Sequence, residues 1–361
     1  MVGKTECATA LRGLQTAVSC TALALVFATP TTVAAKEEPN TIVRGVSYVG
    51  VTVSDLERTA DDYTYAAALT EANRSELSGV AAFDAFAGQA VTAKTRLLES
   101  TNAQLRVMSF TDASGKPLVA PDSGAVAVNG TGLAHVCFQA DDDRGFYPKF
   151  LERDAQPLGN PEMVTLNPRN PVQYAYAKDP DGVLFEVEHI DVSRVPPDSL
   201  KPGFHRLRHI SLATPDMERT VAFYSKLLGT PSPRRAGGTE GLSGQPFDEV
   251  SGLPGTRLQM AWFQTGNLEV EIIHYLSHPP ETLKAPRPLT ALGYSMVVFE
   301  VDDVADVGKA VSAAGGTIVS EPESIDGGTI QFGRDPDGNL LGFFAPPEGS
   351  PLSARRFQKP E

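Results

Sequence analysis

The chain has 361 residues, of which 41% are hydrophobic and 21% charged, and its formal net charge is −13. A chain of this length can bury a large core and form one or two domains. The acidic excess argues against nucleic-acid binding, because the sequence has no basic patch or lysine-rich run to neutralise phosphates.

The first 35 residues differ in character from the rest. Lys4 and Arg12 precede a short apolar stretch, Ala17–Ala28, and Val33–Ala35 resembles a small-residue cleavage site. This order predicts a secretory signal peptide over residues 1–35, cleavage near Ala35, and a secreted or periplasmic mature protein. A membrane anchor is the alternative, but the apolar stretch is shorter than the ~20 residues of a spanning helix. We therefore expect no membrane contact after cleavage.

Cleavage would leave Cys137 as the single cysteine. A secreted protein with one cysteine has no internal disulfide, so its stability must come from core packing. Cys137 lies in an apolar strand pattern, which favours a small buried side chain over a reactive thiol.

The first repeated segment, module 1, begins at Val46 with a strand and a helix that run to about Leu69. Strands around Thr95–Leu98 and Leu105–Phe110 follow. Asp112–Gly132, rich in Gly, Pro, Asp and Ser, is predicted to be a linker.

Module 2 begins with the strand Leu133–Ala140, which contains His135, and continues with a helix over Phe146–Asp154. Lys178–Gly182 reads KDPDG, a tight-turn sequence. The strand Val183–His189 then places acidic residues among apolar ones. Val195–Gly203, with its three prolines, is the central linker.

Module 3 begins with Leu207–Gly229, where alternating residues predict a strand, Pro215-Asp216 starts a helix and Gly229 stops it. His209 lies inside the strand. Leu207–Tyr224 aligns with Val46–Tyr63 without a gap and places Tyr48 at the position of His209.

The second half of module 3 supports the repeat. Leu242–Tyr275 aligns with Leu77–Phe110 without a gap, so that Asn267 falls on Asn102 and Glu271 falls on Arg106. This alignment indicates that modules 1 and 3 are copies of one unit.

Module 4 consists of a strand at Ser295–Val301, a helix at Val304–Ala314, a second DPDG turn within Gln331–Gly338, and a last strand at Asn339–Ala345. It resembles module 2, so a two-module ancestor has been duplicated. We expect an N-terminal domain over residues 42–195 (modules 1 and 2) and a C-terminal domain over residues 203–347 (modules 3 and 4). No module can bury its sheet face alone, so the modules must pair.

A βαβββ module with a histidine on its first strand and a glutamate on its last strand, just after DPDG, resembles the vicinal oxygen chelate superfamily. This superfamily includes glyoxalase I, extradiol dioxygenases and bleomycin resistance proteins. The resemblance covers about Val46 to Ala345. It implies an α+β fold in which two pairs of modules form two curved-sheet barrels.

The resemblance also implies a ligand set for one divalent metal ion, which would be Ni, Zn, Co, Mn or Fe. Module 2 keeps His135 and Glu186, and module 3 keeps His209 and Glu271. At the same places, modules 1 and 4 carry residues that suit a metal poorly, namely Tyr48, Arg106, Met296 and Gly342.

This distribution predicts which modules pair. In fused glyoxalase I enzymes modules 2 and 3 pair, as do 1 and 4, whereas extradiol dioxygenases pair 1 with 2 and 3 with 4. Only the first arrangement assembles all four candidate ligands in one site, and half-sites would strand buried carboxylates. We therefore predict pairing of 2 with 3 and of 1 with 4.

Two points stay open at this level. Glu188 and Glu269 lie two residues from Glu186 and Glu271 on the same strand faces, so either could be the ligand instead. The remaining histidines lie near strand ends or in linkers, and we interpret them as surface residues; they are His189, His205, His274 and His278.

The resemblance implies a glyoxalase I-like isomerase or lyase acting on a small molecule with adjacent oxygens, with Glu186 and Glu271 as catalytic carboxylates. An Fe(II) extradiol-type dioxygenase and a non-catalytic binding protein of the bleomycin-resistance type are the alternatives. In the last case Tyr48, Arg106 and Met296 would line a pocket. A single chain with four modules can act as a monomer.

Overall fold

The computed structural model describes residues 41–121, 124–195 and 203–357. The predicted signal peptide lies outside these residues. The described residues belong to one compact unit. Within the described ranges no helix is long and apolar enough to cross a membrane.

Modules 1 and 2 begin with long strands and contain short helices. Module 1 contains β1 (Val43–Thr52), α1 (Leu56–Ala67), β2 (Thr70–Ser78), α2 (Ala81–Ala87), β3 (Val91–Glu99) and β4 (Gln104–Asp112). Module 2 contains β5 (Gly132–Asp141), α3 (Phe146–Leu151), β6 (Gln156–Pro157), β7 (Val172–Lys178) and β8 (Leu184–Ile190).

Modules 3 and 4 repeat this order. Module 3 contains β9 (His205–Ala213), α4 (Met217–Leu227), β10 (Arg234–Ala236), β11 (Leu242–Ser243), α5 (Gln245–Ser251), β12 (Arg257–Gln264) and β13 (Glu269–Tyr275). Module 4 contains β14 (Gly293–Val301), α6 (Val307–Ala314), β15 (Thr317–Ile318), β16 (Glu323–Ile325), β17 (Gly328–Arg334) and β18 (Leu340–Ala345).

The helices begin and end where local chemistry directs. Asp55 and Asp216 cap α1 and α4 by accepting from the backbone N–H three residues on. Gly315 ends α6 in the left-handed conformation. Helix α3 ends at Leu151, three residues before the predicted end, because the chain turns there and Asp154 takes a positive φ of 63°.

The modules pair 2 with 3 and 1 with 4, as predicted. Sheet A joins modules 1 and 4 in the order β15-β17-β18-β14-β1-β4-β3-β2. Sheet B joins modules 2 and 3 in the order β10-β12-β13-β9-β5-β8-β7-β6. In each sheet the two first strands meet antiparallel at the centre. The α+β fold class is confirmed, although each sheet is curved and open rather than closed into a barrel.

The helices pair the modules differently from the sheets. Helix α1 packs against α3, and α4 packs against α6, so modules 1 and 2 touch through their helices, as do 3 and 4. One apolar cluster contains side chains from the central strands of both sheets, among them Val46, Phe138, Ile210 and Phe299. The opposite face of sheet B, which we call the site face, carries the four candidate ligands.

Candidate metal centre

The candidate ligands lie on four adjacent strands of sheet B. His135 and His209 belong to the central strands β5 and β9, and Glu186 and Glu271 belong to the flanking strands β8 and β13. Strand alternation turns apolar sequence neighbours of the ligands into the core, among them Val136, Phe185, Ile210 and Val270, whereas Arg208, next to His209, is not one of them. All four side chains are buried, with 1 to 5% of each residue exposed.

Strand register relates the two halves of the cluster. Glu186 lies opposite Cys137, two residues beyond His135, and Glu271 lies opposite Ser211, two residues beyond His209. Glu188 and Glu269 break this equivalence, because Glu188 lies opposite Gln139 and Glu269 opposite His209. The register therefore favours Glu186 and Glu271 as the matched pair.

Two β-bulges adjust the central strands where the histidines lie. The β5–β9 register shifts between Leu133 and His135, and again between Val136 and Phe138, where two residues of β9 lie opposite one residue of β5. A bulge re-aims side chains and is frequent beside active sites. Here the second bulge lets Arg208 reach the site face next to His209.

The donor atoms converge on one point. The Nε2 atom of His209 lies 2.9 Å from Oε2 of Glu186 and 3.3 Å from Oε2 of Glu271. The Nε2 atom of His135 lies 3.3 and 3.6 Å from the same two oxygens, and the two Nε2 atoms are 3.4 Å apart. The structure thus brings together all four side chains that the sequence selected.

A divalent cation fits this arrangement. One ligand atom from each of the four residues lies within 4.8 Å of the others. Neighbouring ligands of a metal bound at about 2.1 Å lie roughly 3 Å apart, which matches the observed separations. Oε2 of Glu271 is buried and has no hydrogen-bond partner among the described residues, so hydrogen bonds alone do not satisfy the cluster. Two imidazoles and two carboxylates suit the first-row metals.

The electrostatics of the cluster favour positive charge. Burial alone would raise the pKa of Glu186, but hydrogen bonds and charge from His135 and His209 hold that pKa below its ordinary value. Burial alone would lower the pKa of His209, yet Glu271 and Glu186 raise it overall. Glu186 is therefore favoured as a carboxylate and His209 as an imidazolium, and a metal ion would displace the proton from His209.

Arg208 pairs with Glu188 and Glu269, the two glutamates that lie outside the cluster. Its guanidinium bonds to Glu188, which also accepts from Gln139, and its Nε lies 3.5 Å from Oε2 of Glu269. Cys137, Glu186 and Glu188 also lie close enough to share an ion. However, Glu188 is already paired with Arg208, and burial raises the thiol pKa of Cys137 well above its usual range, so this second group is the weaker metal site.

Aromatic and apolar side chains surround the cluster. The Tyr176 ring lies 4.9 Å from the His135 ring between centroids. Tyr176 and Tyr275 belong to a compact apolar group on this face with Leu184 and Ile273. Such a setting excludes water and strengthens every charge interaction within it.

A loop of module 2 contacts helix α5 of module 3 beside this apolar group. The backbone N–H of Asn160, in module 2, donates to the carbonyl of Glu249 on α5 of module 3 at 2.7 Å. Gly159 and Gly252 make the contact possible, because a Cβ on Gly159 would lie 1.9 Å from the Glu249 oxygen and one on Gly252 would lie 2.6 Å from the Leu158 oxygen. We call this contact the glycine seam.

In sheet A, packed side chains occupy the position that the candidate metal site has in sheet B. Arg106 is buried and pairs through two nitrogens with Asp326 of module 4, at 2.5 and 3.1 Å. Its guanidinium also lies 5.3 Å from the Tyr48 ring centroid. Met296 is fully buried, and a Cβ on Gly342 would lie 2.9 Å from Val298. This packing supports a scaffold and not a pocket lined by these residues.

One histidine that was predicted to lie at the surface is buried. His189 was expected at the surface but is 6% exposed, and its Nε2 faces the backbone N–H of Tyr147 at 3.4 Å. It is buried because α3 packs across the end of β8. The other three are half-buried and bond to nearby backbone or hydroxyl groups; they are His205, His274 and His278.

The sequence interpretation missed two neighbours of the cluster. Arg208 reaches the site face only because of a bulge, which strand alternation does not reveal. Tyr176 lies opposite Glu186 across the β7–β8 pair, and the DPDG turn that joins these strands was the available signal.

Residues 206–343 match the family model described as the Glyoxalase/Bleomycin resistance protein/Dioxygenase superfamily. A probable lactoylglutathione lyase from Vibrio cholerae serotype O1 is 26% identical over 147 residues, which cover 38% of this chain and 88% of that protein.

Two solved structures share the fold. Glyoxalase I from Zea mays is 19% identical with a TM-score of 0.55, and the match covers 83% of this chain and 92% of that one. A putative dioxygenase from Bacillus subtilis is 10% identical with a TM-score of 0.53, covering 85% and 87%. Residues 206–343 therefore match the glyoxalase/bleomycin resistance protein/dioxygenase superfamily, also known as the vicinal oxygen chelate superfamily, and the four repeated modules share the fold of these two structures.

Proposed function

We propose that this protein is a divalent-metal-dependent isomerase or lyase of glyoxalase I type, acting on a small molecule with two adjacent oxygens. The observation that carries the proposal is the convergence of His135, Glu186, His209 and Glu271 within 4.8 Å, on matched strands of modules 2 and 3. One ion of Ni, Zn, Co, Mn or Fe is the proposed cofactor.

The residues have distinct proposed roles. His135 and His209 would hold the metal, which when bound would polarise the adjacent oxygens and so acidify a C–H beside a carbonyl. Glu186 takes the proton from that carbon and returns it to the neighbouring one, with Glu271 as its counterpart. Burial keeps water from exchanging the proton while the carboxylate holds it.

The substrate class has one leading candidate. The Vibrio cholerae relative is named as a probable lactoylglutathione lyase, which supports testing the hemithioacetal of methylglyoxal and glutathione first. Because we also propose secretion from the sequence of residues 1–35, and glutathione is mainly cytosolic, hemithioacetals of other thiols belong in the same assay.

The test is turnover by the metal-loaded protein. We expect conversion of at least one hemithioacetal or other α-hydroxycarbonyl compound. Glu186→Gln and Glu271→Gln should lower kcat at least about 100-fold, because each removes a proton-transfer group. Glu269→Gln, outside the cluster, should retain activity. A metal-loaded protein that turns over none of these compounds would contradict the proposal.

An Fe(II) extradiol-type dioxygenase is the second candidate. His135, His209 and one glutamate would make the two-histidine, one-carboxylate set of such enzymes. The second glutamate counts against it, since it would take a position needed for oxygen or a catechol. Oxygen uptake by the iron-loaded protein with catechols would favour this alternative.

A further inference from the structure

We propose that the hydroxyls of Tyr275 and Tyr176 hold the substrate's oxygens by donating hydrogen bonds to them. This inference rests on the function proposed above and adds two positioning residues to it. Neither tyrosine is among the candidate ligands or proton-transfer groups.

Both tyrosines lie on the site face, one from each module, and Tyr176 adjoins the cluster. Tyr176 lies opposite Glu186 in the β7–β8 pair, and its ring is 4.9 Å from that of His135. Tyr275 lies four residues after Glu271 on β13, which places both side chains on the site face. Both tyrosines belong to the same apolar group, so the two rings share one side of the cluster.

Neither hydroxyl has a hydrogen-bond partner within residues 41–121, 124–195 and 203–357. Yet Tyr176 is 8% exposed and Tyr275 only 1%. By contrast, the buried tyrosines on the helices are satisfied: Tyr63 donates to Asp179 at 2.9 Å and Tyr224 to Asp335 at 3.0 Å. Neither hydroxyl is among the fully buried unpartnered atoms of the described residues, so each keeps some access to solvent and is available to donate a hydrogen bond to a bound group.

Both hydroxyls can act as donors, because a phenol is protonated in neutral solution. In the proposed reaction negative charge builds up on the substrate's adjacent oxygens, and fixed donors beside them stabilise that charge.

The experiment measures binding of acetohydroxamate, a small chelator with two adjacent oxygens, to the Co(II)-loaded protein by its visible absorbance. We expect Tyr275→Phe and Tyr176→Phe each to weaken binding about tenfold, as for a lost hydrogen bond to a charged group. In turnover each should lower kcat by more than it raises KM. Metal content and Tm should stay at the wild-type values, because the hydroxyls make no hydrogen bond in the free protein.

Tyr65→Phe is the matched control, since that tyrosine is exposed and its hydroxyl bonds to Glu152. It should bind acetohydroxamate like the wild type. Wild-type affinity in both site variants, or loss of metal from them, would overturn the positioning role while leaving the proposed function standing. A wild-type protein that holds Co(II) but binds no acetohydroxamate would instead refute the proposed function.

Discussion

At the scale of single residues, equivalent positions carry a candidate metal-ligand cluster in sheet B and an arginine–aspartate pair in sheet A. Sheet B places two histidines and two glutamates together, which leaves a demand for positive charge. In sheet A an arginine side chain provides the positive charge, because Arg106 occupies the position of Glu271 and pairs with Asp326. Sequence alignment identified the exchange, but Asp326 could not be predicted, since it comes from a hairpin of module 4 with no counterpart motif.

Breaking this buried pair should be costly. Arg106→Met leaves a largely buried carboxylate without its cation, and Asp326→Asn, which tolerates the positive φ of 50°, leaves the guanidinium without an opposite charge. We expect each to lower the free energy of unfolding by about 3 kcal/mol, and the double variant to lose less than the sum. Denaturant titration measures this, with the exposed Arg74→Met as a control expected to cost under ~1 kcal/mol. Additive losses would contradict a direct pair.

The DPDG turns carry a second residue-scale feature. Burial raises the pKa of Asp179 and of Asp335 to about 6 in each case. The repeat alignment already set Tyr63 beside Tyr224, but it did not show that each hydroxyl bonds to one of these carboxylates. Each bond joins the helix of one module to the turn of the next, and therefore links sheet A to sheet B.

These carboxylates predict a pH dependence of stability. Their folded pKa lies above the unfolded value, so their favourable contribution is complete below about pH 4 and is lost as pH rises through about 6. The loss is on the order of 3 kcal/mol for each group. In the metal-free protein, Asp179→Asn and Asp335→Asn should therefore destabilise less at pH 7 than at pH 4.5. Denaturant titrations at the two values measure this, and an equal effect at both would contradict it.

At the scale of elements, the strands were predictable and the contacts between loops were not. Alternation and turn sequences located the first and last strands of each module, because half-buried strands repeat every second residue. The bulges in β5 and β9 follow from how two strands meet, so no single strand reveals them. The glycine seam likewise joins Gly159 to Gly252 across two modules.

The seam can be tested with paired glycine variants. Gly252→Ala introduces a Cβ 2.6 Å from the Leu158 oxygen at a φ of +68°, whereas Gly255→Ala meets nothing within 4 Å at a similar φ of +71°. Both carry the backbone strain of about 1 kcal/mol, but only the first forces the loops apart. We expect Gly252→Ala to lower Tm further and to let a chelator remove the metal several-fold faster. Equal chelation rates in the two variants would show that the seam does not cover the site.

At the scale of the whole molecule, two kinds of pairing are superimposed. Sheets join modules 2 with 3 and 1 with 4, whereas helices join 1 with 2 and 3 with 4. Asn102 and Asn267, aligned in the repeat, bond to each other's backbone carbonyls at 2.8 and 3.0 Å and also hold the first strands of modules 3 and 1. The sheet pairing was predictable, because only one arrangement completes the ligand set. The helix pairing required the structure.

The central claim is that modules 2 and 3 build one metal site and that modules 1 and 4 build none. Elemental analysis of the purified full chain, after dialysis against a divalent metal, tests it most directly. We predict about one ion per chain in the wild type, in Arg106→Met and in Glu269→Gln. His135→Ala and His209→Ala should bind almost none while keeping the wild-type far-ultraviolet circular dichroism. A wild-type protein without metal, or two histidine variants that keep it, would contradict the account.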